Sequence, residues 1–183
     1  PDSLFGASLT IGDITSISYW TKKENNHTTD PADWFFQIYT QPYTGSPGSS
    51  WYGNRINSEP YFSENLNETP GEWNQWQTED GNNQLQFFDS SEGYFGSYTD
   101  PVWDDFKTGF ASQEILYIVM GTGTAWADEF EGQLDGLSIV ADGDTANVNF
   151  EADPIPEPTT WLLFGTGILG LLGFGRRKFF KKA

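Results

Sequence analysis

The chain has 183 residues, with 26 Asp and Glu against nine Lys and Arg, a net charge of -17 at pH 7. Five of the nine bases sit in the last eight positions, so residues 1–153 hold 25 acids against four bases and carry -21, a body that repels polyphosphates and argues against nucleic acid as a partner. Cys is absent, which removes disulfides and thiolate metal sites, and the 17% aromatic content, with eight Trp, is that of a chain with a core to build.

Read in chain order, apolar runs of mostly four to nine residues recur, rich in aromatic and β-branched side chains and bounded by turn residues. They predict strands at 8–11, 14–20, 34–40, 51–56, 73–78, 84–88, 115–120, 132–140 and 146–151. The separators Gly12-Asp13, 44–50, 80–83 and Asp142-Gly143-Asp144 carry turn chemistry, and the last reads as a hairpin between LSIV and ANVNF. One short helix is expected in the body, with Thr99 or Asp100 as N-cap, Pro101 at its first position, Asp104 and Asp105 in its opening turns and Gly109 as its stop. Strands dominate, so residues 1–153 are expected to form one domain of all-β class, an antiparallel two-sheet sandwich.

Residues 154–183 differ in kind. From Thr159 to Gly175 there are 17 residues without a charge, at the short limit for a helix crossing a hydrocarbon core about 30 Å thick. Trp161 borders one side and the bases from Arg176 to Lys182 the other, so the segment reads as a single transmembrane helix with its C-terminus in the cytoplasm and the acidic body outside. The competing reading, a buried helix of a soluble protein, is weakened by five glycines between Gly165 and Gly175.

The order Pro156-Glu157-Pro158, apolar span, then Arg176-Arg177-Lys178 resembles the PEP-CTERM sorting signal of Gram-negative bacteria. The resemblance implies export through an N-terminal signal peptide, recognition by an exosortase in the cytoplasmic membrane, cleavage near Pro156-Glu157-Pro158, and delivery to the cell surface or extracellular matrix. The sequence starts at Pro1 with no apolar leader, so the signal peptide is expected to be missing or already removed. The phrases GDITSISYWT, WFFQIYT, WYGNRINSEPYF, GEWNQWQT, GQLDGLSI and ANVNFEAD are similar to ectodomains that accompany such tails, of laminin-G or galactose-binding jelly-roll type.

Jelly-roll modules of this kind bind sugars by stacking a pyranose on exposed Trp or Tyr, with amides, acids or Arg taking the hydroxyls. The candidates here are Trp51, Tyr52, Asn54 and Arg55 in one stretch and Trp73 and Trp76 in another. The two Trp of the second stretch are an odd number apart, so on a strand they face opposite sides and at least one is expected in the core. Arg55 and Glu59 read as a structural pair. Asp128, Glu129, Glu131 and Asp135 form an acidic cluster that reads either as a solvated face or as oxygen ligands for a structural Ca2+, without the spacing of an EF-hand loop; Asp142 and Asp144 read first as a turn. Paired carboxylates such as Glu129 and Glu131 also equip a glycoside hydrolase, the rival enzymatic reading. Ser-His-Asp chemistry is not supported, because His27 lies in a polar loop without a nucleophile elbow. The expectation is a non-enzymatic carbohydrate-binding or structural module of the cell surface or exopolysaccharide matrix, whose partners are exosortase, the membrane through residues 159–175, and a glycan.

Overall fold

The computed structural model describes residues 2–25, 32–41, 54–89, 100–122 and 130–150. The chain divides between Phe150 and Glu151, and every described residue lies on the first side of that division. The expected transmembrane span lies outside the described residues, among which no helix is long and apolar enough to cross a membrane.

Among the described residues, eight strands form two four-stranded sheets in which every pair of neighbours is antiparallel. They are β1 (Ile14–Lys23), β2 (Trp34–Thr40), β3 (Arg55–Ser58), β4 (Trp73–Gln77), β5 (Phe88–Asp89), β6 (Ile115–Thr122), β7 (Gly132–Ala141) and β8 (Asp144–Val148). The first sheet runs β4-β1-β7-β8 and the second β5-β3-β2-β6. Two helices are present among the described residues, α1 (Asp2–Phe5) and α2 (Trp103–Phe110).

Alternation makes the sandwich. Ile17 and Tyr19 of β1, Trp76 of β4 and Leu137 and Ile139 of β7 pack with Phe36 and Ile38 of β2 and Ile56 of β3 in one buried cluster. The rings of Tyr19 and Phe36, one from each sheet, lie 6.4 Å apart and nearly parallel. Helix α2 closes one end of the core. Trp103, Phe106 and Phe110 recur at helical spacing, Trp103 and Phe106 are buried, and Phe87 packs on Trp103 with centroids 4.8 Å apart. The Trp103 Nε1–H donates to the Ile14 carbonyl at 3.2 Å, tying the helix to the start of β1.

Two irregularities keep β1 and β7 in phase. Thr15 is extra on β1 between the pairs Ile14/Ala141 and Ser16/Val140, and further along β7 carries the extra residue, where Gly136 and Leu137 together oppose Tyr19. Gly136 has φ +60, the left-handed conformation that a bulge of this type asks of its first residue. The hairpin between β7 and β8 turns on Asp142 (φ 49) and Gly143 (φ 85), the two positive φ values of a type I′ turn.

Several expected boundaries move, each for a local reason. Residues 8–11 contribute only a bridge from Thr10 to Glu114, because Asp13 Oδ2 accepts from both the backbone N–H and the hydroxyl of Thr10 at 2.8 Å and bends Ile11–Asp13 into a 3-10 turn. The strand expected at 84–88 is mostly isolated bridges at Gln84 and Gln86, with regular pairing confined to β5. The third strand runs on to Ser58, and residues 51–53 of its expected range lie outside the described residues. Helix α2 begins at Trp103 rather than near Pro101, because Val102 is held extended in a bridge to Gln86, and it continues past Gly109 to Phe110.

Trp76 is completely buried, and its indole N–H donates to Thr21 Oγ1 at 2.7 Å, whose own hydroxyl donates to Asp33 Oδ2 at 3.0 Å. Trp76→Ala is therefore expected to lower unfolding free energy by about 3–5 kcal/mol, from the lost ring and the cavity it leaves. Trp73→Ala on the exposed face of the same strand should stay within about 0.5 kcal/mol of the parent. Urea unfolding of both variants checks the contrast.

Candidate functional site

The two aromatic stretches singled out in the sequence belong to different sheets. Asn54 precedes and Arg55 begins β3 of the second sheet, whereas Trp73 and Trp76 lie on β4 of the first, so they do not form one constellation. Trp51 and Tyr52 lie outside the described residues. Trp76 is corrected from candidate ligand contact to core, since a fully buried ring has no face to offer a solute. Trp73, three residues earlier and on the opposite face, is 42% exposed.

Register shows what surrounds Trp73. Lys22 of β1 stands opposite it, and two residues back Trp20 stands opposite Gln75, so Trp20 and Trp73 are diagonal neighbours on one outward face. Diagonal positions of an antiparallel pair lie about 7–8 Å apart, within reach of large rings. Trp20 is 38% exposed. On the other flank of β1, Asp135 stands opposite Trp20 and Gln133 opposite Lys22. The sequence reading missed Trp20, placing it only as the last residue of a strand. Its outward parity, opposite to Tyr19, was the signal that would have found it.

The bulge seats this ring. A Cβ added at Gly136 would come within 3.0 Å of Trp20 Cδ1, so the indole rests against a backbone position that has no side chain. Asp135 is fixed beside it: Oδ1 accepts from the Gly136 N–H at 2.6 Å and the Phe150 N–H at 3.4 Å. Lys22, Gln75 and Gln133 make no side-chain hydrogen bond or ion pair among the described residues. Beyond Lys22 the face opens into a polar cleft of about 340 Å³ bordered by Glu24, Phe130, Glu131 and Gln133.

The outward face of the second sheet is also aromatic, but its rings are engaged with each other. Tyr39 and Tyr117 stand opposite across β2 and β6 and stack with centroids 4.5 Å apart. Gln37 donates from Nε2 to Asn57 Oδ1 at 2.7 Å beneath them. Arg55 pairs in register with Tyr39. A third feature is a cavity of about 440 Å³ between α2 and β5, bordered by Phe87, Phe88, Asp89, Asp100, Phe106 and Phe110.

Of the acidic cluster, Glu131 and Asp135 are among the described residues. Asp128 and Glu129 lie outside the described residues, as do His27 and the tail residues Pro156, Glu157, Pro158, Arg176, Arg177 and Lys178. Glu131 is exposed beside the cleft, Asp135 is held by the bulge, Asp142 lies in the hairpin turn and Asp144 opens β8. Among the described residues no group of three or more His, Cys, Asp or Glu is placed to hold a metal ion.

Glu59, at the end of β3, has its carboxyl pKa raised from the usual value, first by burial and against the opposing pull of the Arg55 charge. Burial also holds the Tyr19 phenol well above its ordinary pKa, with the Asp33 and Glu59 charges acting in the same direction, so it stays a donor to the Trp34 carbonyl. For Glu59 the sign is clear. A carboxyl whose folded pKa exceeds its unfolded one favours folding fully below the unfolded value, and that contribution is lost as pH rises through the folded value. Glu59→Gln is expected to raise the unfolding midpoint relative to the parent at pH 7, with the gap closing as the pH falls below about 4.3. Thermal unfolding of both proteins across that range is the check.

Residues 154–178 match the PEP-CTERM protein-sorting motif. No curated protein and no solved structure matches the chain significantly. The motif is that of a protein exported from the cell and processed by exosortase.

Proposed function

We propose that the protein is a non-enzymatic polysaccharide-binding module of the cell surface or exopolysaccharide matrix of a Gram-negative bacterium. Its precursor is held in the cytoplasmic membrane by residues 159–175, with the C-terminus inside, until exosortase cuts near Pro156-Glu157-Pro158. The observation that carries this reading is the sorting motif at 154–178 behind an acidic antiparallel β-sandwich. The sandwich is taken as jelly-roll-like, of laminin-G-like type. Support comes from its crossed strand order, in which the first strand lies between the fourth and seventh and the second between the third and sixth.

Binding rather than catalysis is favoured by the kind of surface on offer. Exposed indoles flanked by uncommitted amides suit the stacking and hydrogen bonding of sugar rings. The rival reading, a glycoside hydrolase, has one geometric observation in its favour, the presence of Glu24 and Glu131 on one cleft. Release of reducing sugar from matrix polysaccharide would identify that enzyme, and none is expected.

Processing has a direct readout. In an exosortase-positive host the surface-associated form should be lighter than the precursor by roughly 2.5 to 3 kDa, the mass of residues 159–183, and should have lost all five C-terminal bases. Replacing Glu157, or Arg176 with Arg177, should leave precursor in the cytoplasmic membrane, because the attached apolar segment leaves lipid unfavourably. Intact-mass measurement decides, and a surface form ending at Ala183 would show the segment to be a permanent anchor.

A further inference from the structure

We propose that the outward face of the first sheet, centred on Trp20 and Trp73, is the binding platform for a neutral polysaccharide built of pyranose rings. The proposal rests on the polysaccharide-binding reading above and gives it a place and a ligand class.

The solvent-facing side of an antiparallel sheet normally shows polar side chains to water. Here Ser18, Gln75, Gln77 and Gln133 supply the expected polar surface, yet two indoles, 38% and 42% exposed, stand diagonally among them. Exposed Trp on a strand is a large apolar area left in water, and pairing two on one face concentrates it. The bulge at Gly136 then gives Trp20 a seat on bare backbone: a side chain there would meet the ring at 3.0 Å. A ring held from below keeps its orientation, which lowers the entropy lost when a ligand stacks on it.

The polar groups around the rings supply the second requirement. Gln75 lies opposite Trp20, and Lys22 separates Trp73 on one side from Gln133 on the other. None of these three side chains is engaged within the described structure, so their donors and acceptors are available to hydroxyls. The cleft of about 340 Å³ beyond Lys22 and Gln133 extends the face in the same direction.

Charge selects the ligand class. The body carries -21, and Asp135, Glu24 and Glu131 border this face and cleft against Lys22 and the buried Lys23. A uronate- or sulfate-bearing chain meets repulsion there, whereas an uncharged pyranose chain meets apolar ring faces and amides. The Tyr39–Tyr117 pair on the other sheet is the weaker platform, since each ring already covers one face of its partner.

The test is affinity electrophoresis of the full chain in neutral detergent, through native gels containing mixed-linkage β-glucan, hydroxyethylcellulose, galactomannan or alginate. The parent should be retarded by at least one of the three neutral polymers and not by alginate. Trp20→Ala and Trp73→Ala should each weaken that retardation about tenfold, the scale of losing a Trp anchor. Trp20→Phe should weaken it less, and Tyr117→Ala should leave it unchanged. Both Trp side chains are exposed, so circular dichroism and the unfolding midpoint should match the parent; if Trp20→Ala shifts its midpoint, Trp73→Ala decides alone. Retardation that survives Trp73→Ala would overturn the platform and leave the polysaccharide-binding reading standing. Retardation by alginate alone would overturn the neutral ligand class, and no retardation by any polymer would overturn the reading together with the platform.

Discussion

Everything on the first sheet depends on two bulges that cancel. In a strand pair the side chains alternate with period two, so one extra residue exchanges inward and outward positions beyond it. Thr15 adds one residue to β1, and the Gly136 bulge adds one to β7, so the register lost near the hairpin is restored before the far end. Past Gly136 the inward position is Leu134, whereas before it the inward positions are Leu137, Ile139 and Ala141. Without the bulge Asp135 and Gln133 would be driven into the core and Leu134 into water, and both the buried cluster and the face beside Trp20 would be lost.

The inward side of β1 ends in polar residues rather than aliphatic ones, and these anchor the chain that enters the second sheet. Thr21 donates to Asp33 and accepts from Trp76, and the Lys23 Nζ donates to the Ala32 carbonyl at 2.8 Å. Asp33 Oδ1 in turn accepts from the Trp34 N–H at 2.6 Å, at the first residue of β2. Buried polar groups with satisfied partners fix geometry that a purely apolar contact leaves loose. One such chain of bonds links both sheets at the end of the core away from the β7–β8 hairpin.

Much of this architecture is legible in the amino-acid order. The period-two runs at 14–20, 34–40, 115–120 and 132–140 place four of the long strands, and Asp142-Gly143 announces its turn. The odd spacing of Trp73 and Trp76 tells which indole goes inside only once a core is known to exist on one side, and Tyr19 and Trp20 carry the same information one residue apart. What sequence could not supply is partnership across distance. Adjacent aromatic phrases such as 51–55 and 73–76 invite grouping, but strand order assigns Arg55 and Trp73 to different sheets. The face that does form draws on residues 20, 22, 73, 75, 133 and 135, brought together by pairings that span more than a hundred positions. The 3-10 turn at Ile11–Asp13 was hidden for the opposite reason, since a purely local carboxylate bond overrides an apolar run that reads as a strand.

The strand order also sets a timetable. β1, the earliest strand, lies between β4 and β7, and β7 is followed only by β8 before the described residues end at Phe150. Contacts of such long sequence separation are slow to form, because the intervening loop must be closed before they reward it. A nascent chain has all four strands of the second sheet once β6 ends at Thr122, whereas the central β1–β7 seam waits for residues 132–141 and the first sheet for β8. For an exported protein, such late closure leaves the central seam open, and the polypeptide free to thread, until most of residues 1–150 have been made.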